Sequence, residues 1–217
     1  VYGAMTEYLG FEMLDGEFKV MGMAPYGDPN RFDFSRLIYC ENGEFKVNTK
    51  LVNTVGFRRY KKGGKGYFFS PELIEWLGPM REGDEKDEPY IDYAASIQAL
   101  LEKCALHLID YYLGDIIRET GKVAYAGGVA LNVKLNQRII AMPGVKELFV
   151  QPASSDAGTA IGAASYASQL AGVPVEKMEH VYLGPSYTTQ QCIDACERYT
   201  QPVSWQYLND VCGDTAK

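Results

Sequence analysis

Three short segments hold residues whose types and spacing suit chemistry. The first is Lys19-Val20-Met21-Gly22-Met23-Ala24-Pro25-Tyr26-Gly27-Asp28. Two glycines and a proline make a fixed turn, and its backbone can approach a ligand at Gly22 and Gly27, where no Cβ intervenes. Lys19 can meet an anion there and Asp28 a sugar hydroxyl; equally, the segment can be a structural turn with Pro25 and Tyr26 packed beneath it. The second is Ala126-Gly127-Gly128-Val129-Ala130-Leu131-Asn132. A strand that runs into two glycines and then a helix leaves backbone N–H groups at a helix N-terminus, where phosphate binds well. Asn132 adds a donor and an acceptor. The segment is neither a P-loop nor a full dinucleotide fingerprint, and Gly127-Gly128 also suits plain tight packing. The third is Pro152-Ala153-Ser154-Ser155-Asp156-Ala157-Gly158-Thr159-Ala160-Ile161-Gly162-Ala163-Ala164. Asp156 stands where a helix begins, either as its N-cap or as a carboxylate directed at a metal or phosphate. The helix behind it is nearly all Gly, Ala and Ser, which lets another backbone approach closely.

The remaining reactive residues make no catalytic constellation. His107 falls inside a long helical pattern and His180 in a linker, and no Ser-His-Asp or Cys-His arrangement is legible. The five cysteines are odd in number. Cys192 and Cys196 share a helix face, but a zinc site needs four ligands at diagnostic spacings. Free thiols in a reducing, cytoplasmic compartment are the expectation.

The elements that must position these segments follow from periodicity. Residues 1–30 read as glycine-rich turns, and 35–48 as a hairpin about Asn42-Gly43. Residues 57–66 read as a basic loop and 79–89 as an oppositely charged one. Apolar residues at helical spacing, including Ala94, Ile97, Leu101, Cys104, Leu108, Tyr111 and Ile116, predict a helix over Ile91–Thr120 that stops at Gly121. Lys122–Ala126 reads as a buried strand, Val129–Met142 as a helix, Glu147–Val150 as a second strand and Ala157–Leu170 as a third helix. Pro174–Glu179 reads as a linker, and 188–199 as a further short helix. The expected class is α/β with a mixed sheet flanked by helices.

Composition narrows the function classes. The 217 residues carry 21 basic and 28 acidic side chains, a net charge of −7, with 47% hydrophobic residues. That is enough apolar material for a core and argues against a disordered chain. It also argues against a nucleic-acid binder that works through net positive charge. No apolar run approaches a membrane span. The 22 glycines and 16 tyrosines are the unusual counts. The abrupt ends, Val1-Tyr2-Gly3 and Gly213-Asp214-Thr215-Ala216-Lys217, suggest a segment of a longer protein.

Taken in order, KVMGMAPYG at 19–27, AGGVALN at 126–132 and QPASSDAGTAIGAA at 151–164 resemble the carbamoyltransferase family of nodulation protein U and the aminoglycoside O-carbamoyltransferases. AASIQALLE at 94–102 and YLGPSY at 182–187 extend the resemblance over nearly the whole chain. Met23 stands where leucine is usual, and Ser155 where glycine is common. The resemblance implies an actin-like ATPase fold of the sugar kinase, Hsp70 and actin type. Residues 1–181 would be the C-terminal half of that domain, and 182–217 the start of a YrdC-like domain. It implies that ATP and carbamoyl phosphate form carbamoyl-adenylate in the YrdC-like domain. The actin-like domain then passes the carbamoyl group to a hydroxyl of a small molecule or glycan, assisted by iron(II) or a similar divalent metal. By the resemblance, Asp156 is a metal ligand; Gly127, Gly128 and Asn132 belong to the nucleotide-binding segment; and Gly27 lines the nucleoside pocket. The Lys19 contact is added on charge alone. The family's other metal ligands are histidines in a His-x-x-x-His arrangement that this chain lacks, so the segment alone is expected to be inactive. Threonylcarbamoyl transfer to tRNA and a non-catalytic actin-like nucleotide-binding module are the alternatives.

Overall fold

The computed structural model describes residues 1–53, 58–83, 88–176, 178, 180–201 and 204–208. The chain opens with two seven-residue helices, α1 (Tyr2–Tyr8) and α2 (Glu17–Met23), where its glycine content points to turns. Helices this short are marginal by themselves. Burial holds them: Met5 and Tyr8 on α1 and Val20 on α2 are fully enclosed. A 3-10 turn, Ala24–Tyr26, carries the chain from α2 to Gly27.

Strands β1 (Ile38–Glu41) and β2 (Glu44–Val47) pair antiparallel about Asn42-Gly43, as that dipeptide predicts. The basic stretch expected to be a loop instead forms a second hairpin, β3 (Tyr60–Lys62) and β4 (Lys65–Tyr67), turning at Gly63-Gly64. Residues 54–57, just before it, and 84–87 of the acidic loop lie outside the described residues. Helix α3 (Pro71–Leu77) starts with proline at its first position, and the hydroxyl of Ser70 accepts from the Leu73 N–H.

The organising element is α4 (Tyr90–Thr120), 31 residues and so about 46 Å long. It ends at left-handed Gly121, whose N–H donates to the Ile117 carbonyl. Its buried residues concentrate in the first half, at Tyr93, Ala94, Ile97, Leu100 and Cys104. The expected stripe fails further on, where Tyr111 and Ile116 are more than half exposed because α4 outruns the core.

Beyond α4, β5 (Lys122–Tyr125) and β6 (Glu147–Val150) run parallel, with Tyr125 opposite Val150. The crossover contains a 3-10 turn, Gly128–Leu131, and then α5 (Val133–Ile140), where one continuous helix is expected. A further 3-10 turn, Asp156–Gly158, delays α6 to Thr159–Leu170. Val1–Val173 make one compact unit. The other, Pro174–Lys217, contains α7 (Thr189–Arg198), opened by a reciprocal capping box between Thr188 and Gln191.

The class is therefore α/β, but the expected mixed sheet is not formed: the described strands make three separate two-stranded sheets. The strands are only three or four residues long, and the hairpin strands leave most of their residues partly or fully exposed.

The tyrosine excess has a structural use. Tyr8 stands edge-on to Phe69 and Tyr93, and Phe34 packs against both Trp76 and Tyr93. The hydroxyls then serve the C-terminal end of α3. Tyr93 donates to the Leu77 carbonyl at 2.7 Å, Tyr8 to those of Gly78 and Pro79 at 3.1 Å, and Tyr90 to that of Pro79 at 3.2 Å. The leftover carbonyl of Leu77 is thereby satisfied inside the aromatic core, and those of Gly78 and Pro79, just beyond the helix, are held at its edge. Among the described residues no helix is long and apolar enough to cross a membrane.

Candidate functional site

Because β5 and β6 are parallel, the loops that follow them leave from the same end, the edge where open α/β sheets commonly hold ligands. The second and third chemical segments are these two loops. The Gly127 N–H donates to the Ser154 carbonyl at 2.8 Å, and the Gln151 N–H to the Tyr125 carbonyl at 3.1 Å. Ser154 is buried, and its hydroxyl donates to the Gln151 carbonyl. Residues far apart in the chain thus form one double loop.

The two glycines of the turn differ. Gly127 has φ +100°, which residues with a Cβ rarely adopt. Gly128 has no such backbone, and a Cβ there meets nothing within 4 Å. Packing does not explain Gly128, and its surroundings are open to a ligand. The expectation of unpaired N–H groups is corrected at Gly127, whose N–H is taken by Ser154. Gly128 and Val129 start the 3-10 turn, and the first N–H groups of a helical turn have no partner inside it.

Asn132 is the N-cap of α5 and is half-buried. Its Oδ1 accepts from the Leu135 N–H at 2.9 Å and from Gln98 Nε2 at 3.0 Å, while its Nδ2 donates to Gln98 Oε1 at 2.9 Å. Of the donor and acceptor read from the sequence, the acceptor is spent within the protein and one Nδ2 hydrogen remains. Reasoning from the sequence missed Gln98 as a site residue. Its signal was a single amide inside the apolar first half of α4.

Asp156 opens the 3-10 turn with its side chain exposed. The N-cap expectation is corrected. Ser155 precedes the 3-10 turn and Gly158 precedes α6, and neither start has a side-chain cap. The inserted turn moves the helix start away from the carboxylate. The main-chain carbonyl of Asp156 is engaged, by the Thr159 N–H and by the Thr159 hydroxyl at 2.6 Å. Among the described residues no three His, Cys, Asp or Glu side chains gather as a metal site.

The first segment is held by α4. A Cβ on Gly27 would overlap the Ile91 carbonyl, so this glycine lets the turn rest on the helix's first turn. Alongside it, the Asp28 N–H donates to Asp92 Oδ1 at 2.7 Å, and Arg31 pairs with Asp92 Oδ2 at 2.6 Å. The Asp28 carboxylate accepts from the Asn30 N–H at 2.9 Å, a local turn contact. Lys19 is exposed on α2, with its ammonium 5.7 Å from the Phe11 ring centroid and 5.9 Å from that of Phe18. The geometry thus joins Gly127, Gly128 and Asn132 to the loop bearing Asp156. It ties Gly27 to the helix that carries Gln98, and sets Lys19 among aromatic rings.

His107 is a satisfied structural residue, accepting from the Gly43 N–H at 3.1 Å and so holding the first hairpin on α4. Cys104 is no nucleophile: burial, and secondarily its contact with Cys40, push its thiol up to about 12.

Residues 1–165 match the family model described as carbamoyltransferase N-terminus. The nodulation protein NolNO of Sinorhizobium fredii is 32% identical over 196 residues, which is 89% of this chain and 26% of that protein. The nodulation protein NolO of Bradyrhizobium diazoefficiens is 34% identical over 197 residues, 89% of this chain and 32% of that protein. An uncharacterized protein of Methanocaldococcus jannaschii is 27% identical over 221 residues, 97% of this chain and 32% of its own length. The chain therefore spans about a quarter to a third of the length of these relatives.

Proposed function

Because this chain belongs to the carbamoyltransferase family, we propose that its double loop holds the nucleotide end of a carbamoyl donor. The full polypeptide makes carbamoyl-adenylate from ATP and carbamoyl phosphate and passes the carbamoyl group to a hydroxyl of a small molecule or glycan. Residues 1–181 are half of an actin-like domain, and 182–217 begin a YrdC-like domain that forms the adenylate. Segments outside this chain complete both. A reaction fed by ATP and carried out by a protein with free thiols belongs in the cytoplasm.

In the transfer step the acceptor oxygen bonds to the carbamoyl carbon. The bond from that carbon to the phosphate oxygen breaks, AMP leaves, and the hydroxyl proton is released. The chain need supply no nucleophile. The main-chain N–H of Gly128 and the remaining N–H of Asn132 donate to the anionic adenylate and hold its carbonyl in place, which is a proximity effect. Gly27 keeps the first segment against α4, and Lys19 is assigned to the donor's anionic end on its charge alone.

The residues present do not by themselves make a metal site. Asp156 is a single exposed carboxylate, and no three candidate donors converge among the described residues. Asp156 is proposed as one ligand to iron(II) or a similar divalent ion whose other ligands lie outside this chain, and no step is derived through that ion.

The observation that carries this reading is Gly128, a glycine that neither backbone conformation nor packing requires. The test is Gly128→Ala in the full-length polypeptide, supplied with ATP, carbamoyl phosphate and a hydroxyl acceptor. Expected is wild-type thermal stability with carbamoyl transfer reduced at least about tenfold, the loss of more than one good contact. Wild-type transfer in the alanine variant, or an unmodified protein that releases no AMP when given carbamoyl phosphate, overturns it.

A further inference from the structure

Gln98 is 4% exposed, on the first half of α4, and its side chain is fully committed. Oε1 accepts from the Tyr2 hydroxyl at 3.0 Å and from Asn132 Nδ2 at 2.9 Å. Nε2 donates to Glu102 Oε1 at 2.9 Å and to Asn132 Oδ1 at 3.0 Å. A primary amide has two donors and two acceptor sites, and all are used. One turn further along α4, Glu102 Oε2 receives Arg138 Nε from α5 at 3.2 Å. Two polar links therefore join α4 to α5.

The contact with Asn132 is a two-point amide pair, and it fixes which way that amide points. Rotated by half a turn, Asn132 would set its NH2 against two donors, the Leu135 N–H and Gln98 Nε2. The uncommitted Nδ2 hydrogen thus has one direction. A buried leucine or methionine would fill the same space without the cost of desolvating an amide. Tight packing of α4 on α5 needs no glutamine.

We propose that Gln98 is a positioning residue for carbamoyl transfer: it locks the Asn132 amide so that its one uncommitted N–H is presented to the ligand of the Gly127-Gly128 turn. The inference rests on the nucleotide-site reading of that turn. Gln98 touches no reacting atom and acts through Asn132.

The test uses the full-length polypeptide and follows two rates. One is pyrophosphate release from ATP driven by carbamoyl phosphate, which reports adenylate formation; the other is carbamoylation of the acceptor, the step in which AMP leaves. Gln98→Met removes the whole amide, and Gln98→Glu keeps the Oε1 acceptor but replaces the Nε2 donor. Tyr2→Phe removes another partner of Gln98 and leaves the amide pair in place. Both Gln98 variants are expected to form adenylate at the wild-type rate and to carbamoylate the acceptor about three- to tenfold more slowly, the value of one hydrogen bond. Tyr2→Phe is expected to transfer normally. Asn132→Ala is expected to transfer as poorly as Gln98→Met or worse, and the double variant no worse than Asn132→Ala, because the two act as a unit. If Gln98→Met does not fold, Gln98→Glu carries the comparison. Reduced melting temperature with normal transfer in both Gln98 variants, or independent multiplying losses in the double variant, overturns the role of Gln98. Normal transfer by Asn132→Ala overturns the nucleotide-site reading beneath it.

Discussion

Gly127 and Gly128 are neighbours of one residue type with opposite reasons for being there. At φ +100°, Gly127→Ala puts a Cβ-bearing residue into a strained backbone, a cost on the order of 1–3 kcal/mol. Gly128→Ala meets no atom within 4 Å and should stay within about 0.5 kcal/mol of the parent. Urea unfolding of the two variants checks this, and the order is reversed if Gly128 is the structural member. Asn132 has two separable jobs. Asn132→Ser keeps a side-chain oxygen for the Leu135 N–H, whereas Asn132→Ala loses the cap, worth about 1 kcal/mol. Serine should therefore be the more stable variant, while both lose the amide pair with Gln98 and transfer equally poorly. The sequence made all three residues visible because a strand, two glycines and a cap-forming amide follow one another. It did not show which glycine the backbone demands, since φ depends on where Ser154 lies, and Ser154 arrives from the far side of β6.

At the scale of elements, α5 is placed by Leu135 and Ile139, both fully buried and four residues apart on one face. Ile139→Ala should cost about 2–5 kcal/mol, and it should slow carbamoyl transfer as well, since α5 carries the Asn132 cap. Full activity at temperatures where the variant remains folded would show that α5 does not transmit its position to the turn. The elements that periodicity reveals are the ones with length or a strong punctuating residue: α4 with its Gly121 stop, the two parallel strands, and the hairpin at Asn42-Gly43. Helices α1 to α3 have seven residues each, less than two full repeats of a helical face, and tertiary burial of Met5, Val20 and Leu73 decides them. The β3–β4 hairpin had its signal in Gly63-Gly64, but five basic residues masked it. Of these, Arg58 lies over Phe68, Lys65 over Tyr67, and Lys62 pairs with Glu82. The two short 3-10 turns shift helix starts by residues that propensity does not distinguish, and one of them takes Asp156 out of the capping position.

Across the whole molecule, stability is divided unevenly. The aromatic core beneath α4 holds several ionisable groups whose protonated forms burial favours. The hydroxyls of Tyr2 and Tyr8 are raised chiefly by burial, and more weakly by Glu17 and by Tyr93 respectively. Burial likewise raises Tyr93, Tyr125 and Cys104. Such groups keep their protons in the folded state at a pH where the unfolded chain has lost them. The contribution of Cys104 is whole below about pH 9 and that of the tyrosines below about pH 10, their unfolded values, and each falls as pH rises toward the folded values. Unfolding midpoints should drop above those values, with a shallower drop in Tyr8→Phe; equal slopes would refute the assignment. The other end of the unit has little core to lose. Helix α6 buries none of its residues and leaves Tyr166 and Leu170 mostly exposed, and β5–β6 is a sheet of two strands. Two strands and an uncovered helix do not make an independently stable layer. The relatives supply about three times this length of chain, and the proposed function places part of it over this face. Amide hydrogen exchange tests that directly. In the 217-residue chain alone, β5, β6 and α6 should exchange far faster than the first half of α4. In the full-length polypeptide their protection should rise by at least about tenfold, more than 1.4 kcal/mol of added local stability. The same protection in both would mean that nothing packs there, and the double loop would then be an open edge rather than one wall of a site.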